Sequence, residues 1–218
     1  MPTLTRTIAA RIYRAEIAIT GHASDPEIIA ALEAFGYNSA QRTDGVNLLA
    51  SANAILVTVQ EARAAQLAAT QAVKDAEKIA RTAYADLATV SRIVLKGDTA
   101  ALASLGLNSG PAPKGTAAFL LAADKLFAGA TAAPQSVKDT LATVGYNVPK
   151  LASEQAKIAA LHTTNQAQEQ AKGTSQNLTP EQERLLAELD SYTSQLRKLA
   201  RIALRAAPQF LEKLGMKA

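Results

Sequence analysis

Histidine and cysteine, the residues that most often carry catalysis and bind metals, are almost missing from this chain. Its 218 residues contain no cysteine and two histidines, His22 and His162. Helical bundles that hold di-iron centres place a His three residues after a Glu on facing helices, and neither His follows a Glu at that spacing. We therefore expect both histidines to be partly exposed, and we predict no metal site and no cofactor.

Motifs for nucleophilic catalysis and for phosphate binding by a loop are missing from the sequence as well. The chain has no G-x-S-x-G or S-x-x-K motif, no P-loop and no G-x-G-x-x-G fingerprint. Its carboxylates are scattered over predicted polar faces rather than paired. The sequence therefore predicts a protein that is not an enzyme, and it offers no catalytic residue.

A basic stripe follows the last long helical segment beside a row of leucines. It consists of Arg197, Lys198, Arg201 and Arg205. Such a stripe is suited to phosphate groups or an anionic membrane surface, but we expect a solvated helix end, where the helix dipole favours cations. Aromatic residues do not alternate with the basic ones, as stacking on bases requires. We expect no nucleic-acid partner, and a membrane surface stays open as a partner.

A repeated Gly-Tyr-Asn signature suggests either a structural turn or a pair of ligand contacts. It occurs at Gly36-Tyr37-Asn38 and at Gly145-Tyr146-Asn147. Gly is the residue that most easily adopts the left-handed conformation that ends a helix. We therefore expect Gly to stop a helix, Tyr to pack behind the stop and Asn to open the next helix; a ligand pocket lined by the two Tyr-Asn pairs is the alternative.

The signature belongs to an internal repeat in which the second half of the chain follows the first at a constant offset of 109 in residue number. Ser91–Lys96 (SRIVLK) recurs as Ala200–Arg205 (ARIALR), and Leu105-Gly106-Leu107 recurs as Leu214-Gly215-Met216. We interpret the chain as a tandem duplication of a helical unit. Repeat 1 covers 1–109 and repeat 2 covers 110–218, and we expect them to pack as one pseudo-twofold body.

Composition and periodicity predict an all-α fold. The chain contains 48 alanines within a hydrophobic fraction of 48%, and Ala is the best helix former. Apolar residues step by four and three along 185–203 and along 48–62, the seam of helices packed lengthwise. The segment 162–178 is almost wholly polar, and we predict that it is mobile.

The long middle part of each repeat is predicted to be a helical hairpin. In repeat 2 the break is expected at 173–178, followed by a capping box at Thr179-Pro180-Glu181-Gln182. Repeat 1 has no matching breaker, so one continuous helix over about 43–96 is the alternative there. Two hairpins give an antiparallel, up-down four-helix bundle with short flanking helices. Two independent bundles joined by a linker at 109–115 are the second arrangement.

The remaining bulk properties narrow location and function. The net charge of +4 comes entirely from residues 110–218. The amino-terminal segment 1–20 contains three arginines and a glutamate and does not resemble a signal peptide, and no window reaches 18 uninterrupted apolar residues. We expect a cytoplasmic protein without a transmembrane segment. A structural or protein-interaction module, with a protein partner or self-association, is the first hypothesis; binding to a membrane or other anionic surface, and small-ligand binding in a cavity of a few hundred Å³, are the alternatives.

Overall fold

The computed structural model describes residues 2–108 and 110–217. Within those ranges the chain is helical and contains no strand, which confirms the all-α class. The helices are α1 (Pro2–Thr20), α2 (Pro26–Glu33), α3 (Ser39–Val94), α4 (Thr99–Ser104), α5 (Thr116–Ala132), α6 (Gln135–Thr143), α7 (Val148–Ala203) and α8 (Phe210–Lys213).

The short helices begin and end where local chemistry predicts. The Asp25 carboxylate caps α2 by accepting hydrogen bonds from the backbone N–H of Glu27 and Ile28, and Pro26 occupies the first turn. Gly36 and Gly145 follow α2 and α6 with φ of +88° and +90°, a conformation that costs a side-chain-bearing residue about 1–2 kcal/mol. The predicted glycine stops are confirmed.

The two predicted hairpins are wrong, because α3 and α7 are each one continuous helix of 56 residues. In repeat 1 the alternative, one continuous helix over about 43–96, is confirmed. The expected break at 173–178 does not occur. Thr179 is not an N-cap: its hydroxyl donates back to the carbonyl of Ser175 over 3.3 Å, as in a helix interior. Pro180 lies inside α7, where it removes one backbone donor. The four-helix bundle built from those hairpins is therefore not confirmed.

The chain folds into two compact units that differ from the two sequence repeats. Unit 1 comprises Met1–Ala64 and Gly173–Ala218, and unit 2 comprises Ala65–Lys172. The boundaries fall inside α3 and α7, so each long helix contributes one part to each unit. The predicted linker at 109–115 does not separate the units, since it belongs to unit 2.

Unit 1 is built around a core that takes residues from both repeats. α1 and α2 contribute Ile12, Ile19 and Leu32, and the second part of α7 contributes Leu189 and Leu196. α3 and α7 pack together here: the Tyr192 hydroxyl donates to the carbonyl of Gln41 over 2.6 Å. Of the predicted seam along 185–203, Leu189 and Leu196 are therefore buried, and its other four residues are half-buried.

Unit 2 has its own core, again drawn from both repeats. Phe119, Leu126 and Phe127 of α5 are almost fully buried against Leu87 of α3 and Ile158 of α7. α3 and α7 also pack together in this unit, where the Gln168 amide donates to the hydroxyl of Thr70 over 3.2 Å. The polar segment 162–178 is helical.

The two units have matching burial patterns at two sequence offsets. From α2 onwards buried positions recur at an offset of 109, as in Leu32 and Leu141. In the first helix they recur at an offset of 108, as in Ile12 and Leu120 or Ile19 and Phe127. The constant offset of 109 therefore holds from α2 onwards. The buried positions of α1 correspond to those of α5 at an offset of 108, one residue less.

Candidate anion-binding site

One face of α1 in unit 1 carries arginines. Thr7, Arg11 and Arg14 are spaced by four and three residues, which places them on one side of a helix. Ile12, Ala15 and other apolar residues of α1 face the core. This basic face was not predicted, although the spacing of its arginines in the sequence indicates it.

The basic face of α1 lies opposite the basic stripe of α7 and forms a groove of about 490 Å³. Three of the four residues of the predicted stripe line it, and Arg205 does not. We call this the basic groove; its lining residues are Thr7, Arg11, Arg14, Asp190, Thr193, Ser194, Arg197, Lys198 and Arg201. Five cations face one carboxylate, so the groove is strongly positive.

The single carboxylate neutralises one of the five cations. Arg11 donates from Nε to Asp190 over 2.8 Å and from Nη2 to the same oxygen, Oδ2, over 2.6 Å. No ion pair engages Arg14, Arg197, Lys198 or Arg201 within the part of the chain that the structure describes. Four positive charges are thus available to an anion.

Arg197 is held in place at the groove and keeps an unused donor. Its Nη2 lies 3.5 Å from the carbonyl of Arg14, which ties α7 to α1. Its Nε is buried and has no hydrogen-bond partner among the described residues. A buried donor without an acceptor costs about 1–3 kcal/mol, so the position of Arg197 carries a cost in stability.

The matching surface of unit 2 is not basic. The positions that correspond to Arg11, Arg14, Arg197, Lys198 and Arg201 hold Phe119, Ala122, Ala88, Thr89 and Arg92. Phe119 and Ala88 are buried in the core. The Arg11–Asp190 ion pair is replaced by Arg81, which stacks 4.3 Å above the ring of Phe119. The groove is therefore a property of unit 1.

The two histidines behave differently from each other. His22 is buried rather than partly exposed, because its ring packs edge-on against Tyr37 with centroids 5.5 Å apart and its Nδ1 lies 3.4 Å from the carbonyl of Ala18. Burial, together with the nearby charge of Arg42, lowers the pKa of His22 below its ordinary value. His162 is partly exposed, as predicted, and pairs with Asp124 over 2.9 Å.

The Tyr-Asn pairs have the structural role that was expected. Tyr37 and Tyr146 are buried, with 4% and 8% of their surface exposed; Tyr146 and Asn147 also line a cleft in unit 2. The side chains of Asn38 and Asn147 cap α3 and α7 by accepting from the backbone N–H of Gln41 and Lys150.

Metal centres and membrane spans are two further features that bear on function. Among residues 2–108 and 110–217, no three His, Asp or Glu side chains lie close enough together to hold a metal ion. In the same ranges no single helix has the length and apolar character needed to span a membrane. Helices α5 and α6 meet this length and composition only when taken together, and they are bent by 106° relative to each other.

Comparison with known proteins gives no match. No protein family, no curated protein sequence and no solved structure resembles the chain to a significant degree.

Proposed function

We propose that this chain is a non-enzymatic binding protein whose basic groove attaches it to phosphate-bearing surfaces, in the first place anionic membranes. The observation that supports this most is the convergence of five basic side chains from α1 and α7 on one groove. Four of them have no carboxylate partner in the described ranges. Phosphate groups are the anions that arginine clusters bind best, since the planar guanidinium matches their geometry.

The groove favours this function over a protein-interaction module, the first hypothesis from the sequence. A protein-interaction surface would be indicated by a contiguous apolar patch. The most exposed large apolar side chains in the described ranges are instead spread over several helices, as with Tyr13 on α1, Leu67 on α3 and Leu121 on α5. Scattered apolar residues are normal on protein surfaces.

Vesicle flotation tests the proposed function. The protein is mixed with phosphatidylcholine vesicles that contain 30 mol% phosphatidylserine, at low and at high salt. We expect binding at low salt that is lost at high salt, because salt screens exposed charges. The triple variant Arg14→Gln/Lys198→Gln/Arg201→Gln should bind about 100-fold more weakly, since each surface cation contributes about 1 kcal/mol.

A matched control keeps the net charge equal. Lys74, Lys78 and Lys96 are exposed and lie outside the groove, so their triple change to Gln removes the same charge elsewhere. This control should bind nearly as well as the parent protein. Equal loss in both triple variants, or no flotation of the parent protein, would refute membrane attachment by the groove.

A second measurement separates lipid headgroups from free phosphate. Isothermal titration with inorganic phosphate and with pyrophosphate reports binding of the soluble anions. Vesicle binding that 10 mM phosphate does not displace would indicate that the groove binds lipid headgroups. Binding of soluble phosphate without flotation would indicate a small anion instead.

We also propose that the chain arose by tandem duplication of a helical unit. This is supported by α3 and α7, which have equal lengths and begin at equivalent positions, Ser39 and Val148. It is also supported by the left-handed glycines at equivalent positions, Gly36 with Gly145 and Gly106 with Gly215. After duplication, the groove would have gained its charges in unit 1 alone.

A further inference from the structure

Unit 2 contains a cleft that no part of the proposed function uses. It has a volume of about 460 Å³, within the range of small-ligand sites. Its walls come from α5, α6 and the start of α7. We call it the α6–α7 cleft; its lining residues are Ala130, Thr131, Gln135, Lys138, Asp139, Ala142, Tyr146, Asn147, Val148, Leu151, Ala152 and Gln155.

Unit 1 has a smaller cleft at the corresponding place, and the difference between them is explained by particular side chains. The unit 1 cleft has about 340 Å³ and is lined by His22 and Arg42. Arg42 also pairs with Glu33 over 2.8 Å. The corresponding residues in unit 2 are Ala130 for His22, Leu151 for Arg42 and Ala142 for Glu33. Small or apolar residues therefore replace three bulky polar side chains, and the α6–α7 cleft is wider.

The lining of the α6–α7 cleft combines apolar residues with a half-buried cation. Ala130, Ala142, Leu151 and Ala152 supply hydrocarbon surface. Lys138 is half-buried and forms no ion pair with any residue that the structure describes.

Two further polar features lie close to Lys138 in the lining of the cleft, the carboxylate of Asp139 and the amino end of α7. The more exposed Asp139 accepts a hydrogen bond from the Gln135 amide over 2.7 Å. The amino end of α7, which begins at Val148, adds a partial positive charge to the same cleft.

We propose that the α6–α7 cleft binds a small amphipathic anion, with an aromatic or branched aliphatic body against the alanines and one carboxylate or sulfonate at Lys138. The apolar wall accounts for affinity and Lys138 for the requirement of a negative charge. A partly buried cation without a partner gains more from an anion than an exposed one does, because the local dielectric is lower.

Fluorescence titration with 8-anilinonaphthalene-1-sulfonate tests the proposal, because this probe combines an aromatic body with one sulfonate. We expect saturable binding of one probe per chain. The carboxylate 4-phenylbutyrate should displace it, and the neutral 4-phenylbutanamide should be about tenfold weaker. Lys138→Gln should weaken probe binding about tenfold, since a contact of about 1.4 kcal/mol corresponds to a factor of ten.

Two variants close the cleft by different routes. Ala142→Glu/Leu151→Arg introduces the Arg42–Glu33 pair of unit 1 at the equivalent positions. Ala152→Phe fills the cleft from an exposed position of α7 and leaves the core untouched, so it remains informative if the double variant unfolds. Each folded variant, checked by cooperative thermal unfolding, should lose at least tenfold in probe affinity.

The groove variant Arg14→Gln/Lys198→Gln/Arg201→Gln separates this site from the basic groove. It should bind the probe as well as the parent protein does, whatever happens in vesicle flotation. The cleft proposal is overturned if Ala152→Phe binds the probe like the parent protein, or if the amide competes as well as the carboxylate. It is also overturned if the groove variant, but not Lys138→Gln, loses the probe.

Discussion

At positions 45 and 192 the side chains have exchanged size with their counterparts in the other repeat. In unit 1, Gly45 makes room for Tyr192: a Cβ on Gly45 would lie 2.6 Å from Cζ of that ring. The Tyr192 hydroxyl then bonds Tyr37 over 2.6 Å. In unit 2 the same two positions hold Glu154 and Ala83, both buried. Each unit thus pairs one large and one small residue, and the large residue occupies position 192 in unit 1 but the equivalent of position 45 in unit 2.

The buried carboxylate of Glu154 is stabilised by two lysines. Burial by itself would raise the pKa of Glu154, but hydrogen bonds and charge from Lys150 and Lys157, each 2.7 Å away, outweigh it and leave the pKa below its ordinary value. Glu154 therefore stays ionised near neutral pH. Because its folded-state pKa is depressed, the stability that it contributes is present above the unfolded pKa and is lost as the pH falls through the folded pKa.

We expect Gly45→Ala to destabilise the protein by about 1–3 kcal/mol, the usual cost of overpacking a core. The new methyl group collides with the Tyr192 ring and disturbs its bonds to Tyr37 and Gln41. In a Tyr192→Ala background the same substitution should be neutral or stabilising by up to about 1 kcal/mol, the helix-propensity gain of Ala over Gly. Urea unfolding of the four proteins in this cycle measures the change. Equal effects of Gly45→Ala in both backgrounds would contradict it.

At the residue scale the sequence predicted where a helix stops, but it did not predict which polar side chains are buried. Gly36 acts through its own backbone neighbours, so the helix stop at this glycine was predictable from the sequence. His22 was expected to be partly exposed because it follows a helix in a short loop. Its burial depends on Tyr37, which lies beyond α2 and which no local pattern connects to it.

At the scale of elements, α7 continues where its sequence suggested a break. Residues 173–180 contain one Gly and one Pro together with Thr, Ser and Asn, which are weak helix formers. The flanking segments 166–172 and 181–185 consist of Ala, Gln, Glu, Lys, Arg and Leu, which cost a helix little. Gly173 has no positive φ, and nothing lies within 4 Å of where its Cβ would be. The seams were predictable because their period is local. The continuity of α7 was not, because whether a Gly and a Pro break a helix depends on the partners that the flanking helical segments pack against.

A pair of glycine substitutions tests this continuity. Gly173→Ala should stabilise the protein by about 1 kcal/mol, because Ala is the better residue in a helix interior. Gly36→Ala is the matched control: its Cβ would also meet nothing within 4 Å, but its φ is +88°, so it should destabilise by about 1–2 kcal/mol. Chemical unfolding measures both. Loss of stability in Gly173→Ala would instead favour a turn at 173–178.

The basic groove depends on a pairing of helices that no single element reveals. Arg197, Lys198 and Arg201 were recognised as a basic stripe, but a solvated helix face was the expected explanation. The arginines of α1 gave no reason to prefer the groove until α1 and α7 were seen to face each other in unit 1. That pairing joins opposite ends of the chain, and amphipathic periodicity does not specify which helices become neighbours.

At the scale of the whole molecule, each compact unit needs both halves of the sequence. The core of unit 1 joins residues of 1–64 to residues of 173–218, and the core of unit 2 joins 65–108 to 110–172. Period and repeat were visible in the sequence, but a repeat does not say whether its own two ends pack together or exchange with those of the other copy. The expected domain boundary at residue 109 followed from the first of these possibilities.

Fragment complementation distinguishes a repeat that packs its own two ends together from one that exchanges them with the other copy. Since residues 1–109 carry only part of each core, we expect neither that fragment nor 110–218 to unfold cooperatively as a monomer, because the apolar faces of α1, α3, α5 and α7 would stay in water. An equimolar mixture should regain a cooperative transition and form a one-to-one complex, measured by circular dichroism and light scattering. Self-association of 1–109 would satisfy the same requirement, since a second copy can complete each core. A folded, monomeric 1–109 would show instead that a repeat can bury its own apolar faces.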